Sequence, residues 1–258
     1  METASMNRLP ELSFYQSEAI NQLRINIGLC GKDIKTIMVT SSVPNEGKSF
    51  VSVNLWRSIA ASGSKVLFMD LDLRNSNIRS KYGVTVNSGN FVSIADLLAG
   101  KATAQDAIYA MDIPNAYMIA MSSSVPNPAF LLENGVLQNL MQQLRTVFDY
   151  IIVDTPPVNT VADALNIAPM CDGTVMVVRG GMTSRKTALQ TVVQLERTGV
   201  PILGTVLNRV NNNSRAAAYY NRSYGYYSYY RHHYGYGKNG KGYGYGYGYG
   251  YGYGGKNK

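Results

Sequence analysis

Carboxylates run out before the chain does. Residues 1–196 hold all 16 Asp and Glu beside 15 Lys and Arg, a net of −1, whereas residues 197–258 hold nine Lys and Arg and no acid, a net of +9. The overall +8 is therefore a property of the C-terminal end and says little about the globular part. Cysteine is also scarce. Cys30 and Cys171 stand far apart without Cys-x-x-Cys spacing, which argues against a disulfide framework or a zinc site and for buried free thiols in a reducing cytosol. No stretch approaches the ~20 apolar residues of a membrane span. Met1–Met6 lacks the basic and apolar regions of a secretory signal. A cytoplasmic protein is expected, meeting a membrane only through a partner.

What is present is a repeated alternation of apolar strands and amphipathic helices. At 258 residues and 45% hydrophobic, the chain can hold one α/β domain of ~200 residues plus an appendage. Residues 1–13 read as a loose leader, with Pro10 opposing an early helix. Phe14 to Leu29 follows helical spacing, with Ala19, Ile20, Leu23 and Ile27 on one face. Strand character follows at 36–39, 65–70, 117–120, 150–153, 173–178 and 200–207, with helices between. The expected fold is a doubly wound, mostly parallel sheet of about seven strands over residues 14–211.

The first strand leads into Thr40-Ser41-Ser42-Val43-Pro44-Asn45-Glu46-Gly47-Lys48-Ser49 and then a helix. Strand, loop, Gly-Lys-Ser and helix are the setting of a phosphate-binding loop. There the loop's N–H groups and the positive helix end cradle a polyphosphate. Residues Ser42, Val43, Pro44, Asn45, Glu46, Gly47, Lys48, Ser49 and Phe50 would line the nucleotide, Lys48 reaching its phosphates and Ser49 ligating Mg²⁺. Ser42 departs from the small Gly or Ala usual at the first position.

Two further strands end in acid. Val66-Leu67-Phe68-Met69 runs into Asp70-Leu71-Asp72-Leu73-Arg74, and Ile151-Ile152-Val153 into Asp154-Thr155-Pro156-Pro157. Asp154 has the setting of a Walker B carboxylate that positions Mg²⁺. Asp70 and Asp72 can divide the remaining work, one near the metal and the other accepting a proton from an attacking hydroxyl.

These three motifs resemble the Walker A, A′ and B motifs of bacterial tyrosine kinases. More closely, the chain resembles the soluble kinases of capsular and exopolysaccharide synthesis in Gram-positive bacteria, over about residues 12–211. The resemblance implies an ATP- and Mg²⁺-dependent protein tyrosine autokinase that regulates polysaccharide polymerisation and export. It implies Lys48 on the phosphates, Ser49, Asp72 and Asp154 on the metal, Asp70 as base, and Asn208 near the adenine. It also implies a separate transmembrane activator that recruits the kinase to the inner face of the plasma membrane, a partner phosphatase and self-association, possibly as a ring. The family's Glu-x-x-Arg-x-x-Arg interface motif is kept at Glu18 and Arg24 but broken by Asn21.

Beyond residue 211 the composition changes. Residues 212–258 read as a flexible Tyr-rich tail, and residues 219–258 contain 15 of the 20 tyrosines, with Gly-Tyr alternation over 242–254 and no aliphatic residue. Such a segment cannot build a core. Its irregular part offers Tyr219, Tyr220, Tyr224, Tyr226, Tyr227, Tyr229, Tyr230, Tyr234 and Tyr236 as phosphoacceptors in a neighbouring molecule. Two other readings stand beside this one. A partitioning or cell-division ATPase would carry a signature Lys where Val43 stands. A low-complexity tail that binds RNA or self-associates would use aromatic stacking and bind in a salt-sensitive way, although no specific nucleic acid is expected.

Overall fold

The computed structural model describes residues 2–87 and 90–210. It divides into two units, 1–211 and 212–258, and all of the tail tyrosines lie outside the described residues. In chain order the first unit contains β1 (Glu2–Met6), α1 (Phe14–Leu29), β2 (Thr36–Ser41), α2 (Lys48–Ala61), β3 (Val66–Asp70), α3 (Ile78–Tyr82), β4 (Val84–Val86), α4 (Ile94–Leu98), α5 (Ala104–Ala107), β5 (Tyr109–Met111), β6 (Ala116–Ile119), α6 (Pro128–Glu133), α7 (Val136–Leu144), β7 (Tyr150–Asp154), α8 (Asp163–Ile167), β8 (Gly173–Arg179), α9 (Arg185–Glu196) and β9 (Ile202–Asn208).

The sheet has nine strands in the order β4-β1-β5-β6-β3-β7-β2-β8-β9. It is doubly wound and mostly parallel, with β1–β4 and β5–β6 as antiparallel pairs. About seven strands were expected; among the additional ones, β4 and β5 have three residues each and β1 five. The largest correction is at the N-terminus. The stretch read as a loose leader places β1 between β4 and β5, with Ala4 and Met6 buried.

The central strands are buried on both faces, which is why their sequences run apolar without alternation. Met38, Leu67, Met69, Ile151 and Val153 pack on one side with residues of α4, α6, α7 and α8. Ile37, Val39, Phe68 and Ile152 pack on the other with α2, including Val51, Val53, Leu55, Trp56 and Ile59. Helix α1 begins with a capping box in which Ser13 and Gln16 satisfy each other's end groups, a device that closes orphan N–H donors. Ile20 and Ile27 of α1 are buried as expected, but Ala19 is exposed. Of the two cysteines only Cys171 is buried, where burial pushes its thiol pKa up; Cys30 is exposed. Among the described residues no helix is long and apolar enough to cross a membrane.

Candidate active site

The central strands β3, β7 and β2 are neighbours in the sheet, so their C-terminal ends open into one crevice. This is where open α/β sheets bind ligands. Asp70 of β3 stands opposite Asp154 of β7 in the parallel register, and β2 delivers the loop beside them.

The loop bends through two left-handed residues, Asn45 at φ 66° and Gly47 at φ 94°. At Gly47 a Cβ would also sit 2.0 Å from Asn208 Nδ2, so glycine is required twice over. Gly47 caps α2 without any side-chain hydrogen bond. The first N–H groups of a helix have no partner four residues back; Phe50 N–H turns to the Gly47 carbonyl at 3.0 Å, and those of Lys48 and Ser49 can serve a ligand. Ser42 Oγ is buried and has no hydrogen-bond partner among the described residues. An orphaned hydroxyl in a loop that ends on an uncapped helix start fits a polyphosphate.

Lys48 and Ser49 open α2 and meet the acids directly. Lys48 Nζ lies 2.8 Å from Asp72 Oδ2 and 3.6 Å from Asp154 Oδ2. Burial works against the ammonium charge, but Asp154 and Asp72 outweigh it and the Lys48 pKa is raised. Ser49 Oγ donates to Asp154 Oδ2 at 2.7 Å. The opposite behaviour appears at Asp70, which is fully buried. Burial, reinforced by the Asp154 charge, pushes its pKa up to about 7, against the pull of the Ser76 hydroxyl hydrogen bond. A carboxyl held near neutrality is suited to exchange a proton at working pH.

Among the described residues no three His, Cys, Asp or Glu side chains gather as a metal cluster. Mg²⁺ does not require one, since it commonly takes one or two carboxylates plus waters and phosphates. Ser49, Asp72 and Asp154 fit that pattern of hard oxygen donors.

Several residues at the site escaped sequence reasoning. Ser52, one turn after Lys48, donates to Asp154 Oδ1 at 2.9 Å. Ser76 donates to Asp70 Oδ2. The hydroxyl of Tyr82 lies 3.4 Å from the carbonyl of Ser49, and burial raises its pKa. Arg74 forms a fork on Asp163 of α8 at 2.7 and 2.9 Å. Tyr82 carried a signal, as a large aromatic after the first acidic strand tip, and Arg74 closes the Asp70-Leu71-Asp72-Leu73-Arg74 run; the serines leave none.

Of the remaining expected residues, Asn208 reaches the loop, donating to the carbonyl of Glu46 at 2.9 Å. Pro44 and Asn45 are exposed, Val43 and Phe50 half-buried. Glu18 is exposed and Arg24 half-buried, with Arg24 Nε buried and unpartnered among the described residues. Asn21 instead accepts a hydrogen bond from Ser58 of α2 at 3.0 Å, so the position that breaks the interface motif ties two helices of one molecule.

A strand, a Gly-Lys-Ser loop and a helix, faced by aspartates from two adjacent strands, define a P-loop NTPase. Residues 34–207 match the AAA domain family. Over 196 residues the chain is 36% identical to tyrosine-protein kinase CpsD of Streptococcus agalactiae, covering 76% of this chain and 84% of that one. The crystal structure of the chimerical protein CapA2B2 is similar at TM-score 0.72 and 28% identity, covering 81% of this chain and 94% of that one. The kinase domain of Escherichia coli tyrosine kinase ETK is similar at TM-score 0.69 and 29% identity, covering 77% and 79%. The chain belongs to the bacterial tyrosine-protein kinases of the capsular biosynthesis type, and its activity is that of a protein-tyrosine kinase.

Proposed function

We propose that residues 14–211 bind MgATP at this crevice and transfer the γ-phosphoryl group to tyrosines of the 212–258 tail of a neighbouring copy. The supporting observation is the convergence of Lys48, Ser49, Asp70, Asp72 and Asp154 at adjoining strand ends, in a chain 36% identical to a tyrosine-protein kinase. Lys48 exchanges its carboxylate partners for the β- and γ-phosphates. Ser49, Asp72 and Asp154 hold the metal, directly or through water. When bound, Mg²⁺ neutralises charge that develops on the phosphoryl oxygens. Asp70 receives the proton of the incoming tyrosine hydroxyl. Asn208 borders the adenine.

The tail supplies acceptors flanked by small residues, able to enter the site extended. Each phosphate adds about −1.5 to −2 charges, so about five reverse the +9 carried by residues 197–258. Phosphorylation thereby switches the tail from attraction to repulsion at acidic surfaces, and with it self-association and the polymerisation and export of capsule or exopolysaccharide. Exposed Tyr15, Ile25 and Leu29 on α1, beside Glu18 and Arg24, are the surface for that self-association. A transmembrane activator recruits the kinase from the cytoplasm to the membrane, and a tyrosine phosphatase resets it. Val43, in place of the signature lysine of partitioning ATPases, argues for kinase over partition chemistry.

The experiment is incubation with MgATP followed by phosphotyrosine detection, with a cytoplasmic segment of the activator supplied. Wild type gains phosphotyrosine and Lys48→Met and Asp70→Ala do not. Equal phosphorylation of wild type and both variants would sink the proposal.

A further inference from the structure

Glu46 was expected to line the nucleotide with the rest of the loop, yet the chemistry above gives its side chain no task. It is fully buried and has no ion-pair partner among the described residues. A buried carboxylate without a counter-ion persists only where hydrogen bonds satisfy its oxygens, and here three donors do so. Val43 N–H donates to Oε2 at 2.8 Å. Arg179 N–H donates to Oε1 at 3.2 Å, and the Thr183 hydroxyl donates to the same oxygen. The backbone carbonyl of Glu46 takes the fourth donor, Asn208 Nδ2, at 2.9 Å.

These contacts have a clear geometry. Val43 to Glu46 closes the loop on itself across three residues. Arg179 is the last residue of β8, Thr183 precedes the α9 cap Ser184, and Asn208 ends β9. The Glu46 side chain thus closes the phosphate loop on itself and pins it to the end of β8 and the start of α9, while the Glu46 carbonyl ties it to the end of β9. The amide of Asn208 is itself fixed, because its Oδ1 accepts from Arg209 N–H at 2.9 Å. The loop is held in shape by protein donors before any phosphate arrives.

We infer that Glu46 is a positioning residue, which preshapes the phosphate loop through Val43, Arg179, Thr183 and Asn208 and so sets nucleotide affinity without touching the nucleotide. A site already in its bound shape has less ordering to pay on binding. The inference rests on the reading of this loop as the ATP site. Gln cannot replace Glu46, because its NH₂ would face either the Val43 or the Arg179 N–H, and neither can accept.

The test is calorimetric titration of the full chain with MgATP, with the melting temperature of each nucleotide-free variant measured alongside. Losing a hydrogen bond to a charged group corresponds to about tenfold in affinity, so Glu46→Gln binds ~10-fold more weakly and Thr183→Val several-fold more weakly. Thr183→Ser, which keeps the hydroxyl, binds as wild type, a rescue that loss of general stability does not produce. The Glu46→Ala/Thr183→Val double variant binds no more weakly than Glu46→Ala alone, because removing the Glu46 carboxylate already removes the Thr183 contact. Wild-type affinity in Thr183→Val, failure of Thr183→Ser to restore it, or losses that multiply in the double variant would each overturn the inference. A wild-type chain that fails to bind MgATP would overturn the nucleotide reading and this inference with it, an outcome distinct from silent variants of a binding-competent chain.

Discussion

Arg74 grips both oxygens of Asp163 through Nε and Nη2, joining the end of the Asp70–Arg74 segment to the first turn of α8. The two partners live in different environments: the Asp163 side chain is 3% exposed and that of Arg74 40%. Removing the exposed partner therefore does more harm than removing the buried one. Arg74→Ala leaves a buried carboxylate unpaired and costs about 2–4 kcal/mol, whereas after Asp163→Ala the guanidinium rehydrates and the loss is nearer ~1 kcal/mol. Urea denaturation of both variants measures this, and equal losses would contradict the asymmetry.

Glycine is needed at Gly47 for space and at Gly63 for conformation only. Both have φ 94°, but a Cβ at Gly63 meets nothing within 4 Å. Gly47→Ala is expected to abolish nucleotide binding by driving a methyl into Asn208. Gly63→Ala costs about 1 kcal/mol of left-handed strain and leaves nucleotide affinity intact. A fluorescent ATP analogue titrated into each variant separates the two effects.

Ser52 holds the far oxygen of Asp154 while Ser49 holds the near one. Partners that orient a metal's ligands typically matter tenfold or more in metal affinity. Ser52→Ala therefore raises the Mg²⁺ concentration for half-maximal kinase activity about tenfold and costs about 1–2 kcal/mol of stability. An unchanged Mg²⁺ requirement would remove Ser52 from the site.

The sequence was legible where burial was two-sided. Strands β2, β3, β7 and β8 are continuous apolar runs, and the first three deliver the loop, Asp70 and Asp154 to one edge. Strand β1 was hidden because Glu2-Thr3-Ala4-Ser5-Met6 has only two inward residues, and its partners β4 and β5 are three residues long. A strand with two inward residues, paired to strands of three, carries too little pattern to separate from loop. The charged and glycine members of the site were legible because phosphate and metal chemistry restricts them. Ser52, Ser76 and Thr183 were not, since a hydroxyl's role depends on contacts 102, 6 and 137 residues away. Asn21 shows the converse, a residue read as a damaged interface that is bonded to Ser58 of its own molecule.

The central claim is that the crevice of one molecule phosphorylates the tail of another. Wild-type chain is mixed with isotope-labelled Lys48→Met chain, given MgATP and the activator's cytoplasmic segment, and phosphotyrosines are mapped by mass spectrometry on each species. Phosphate is expected on the labelled, catalytically dead chain within Tyr219–Tyr236, and none when that chain is incubated alone. A labelled tail that stays unmodified while the wild-type tail is phosphorylated would contradict it.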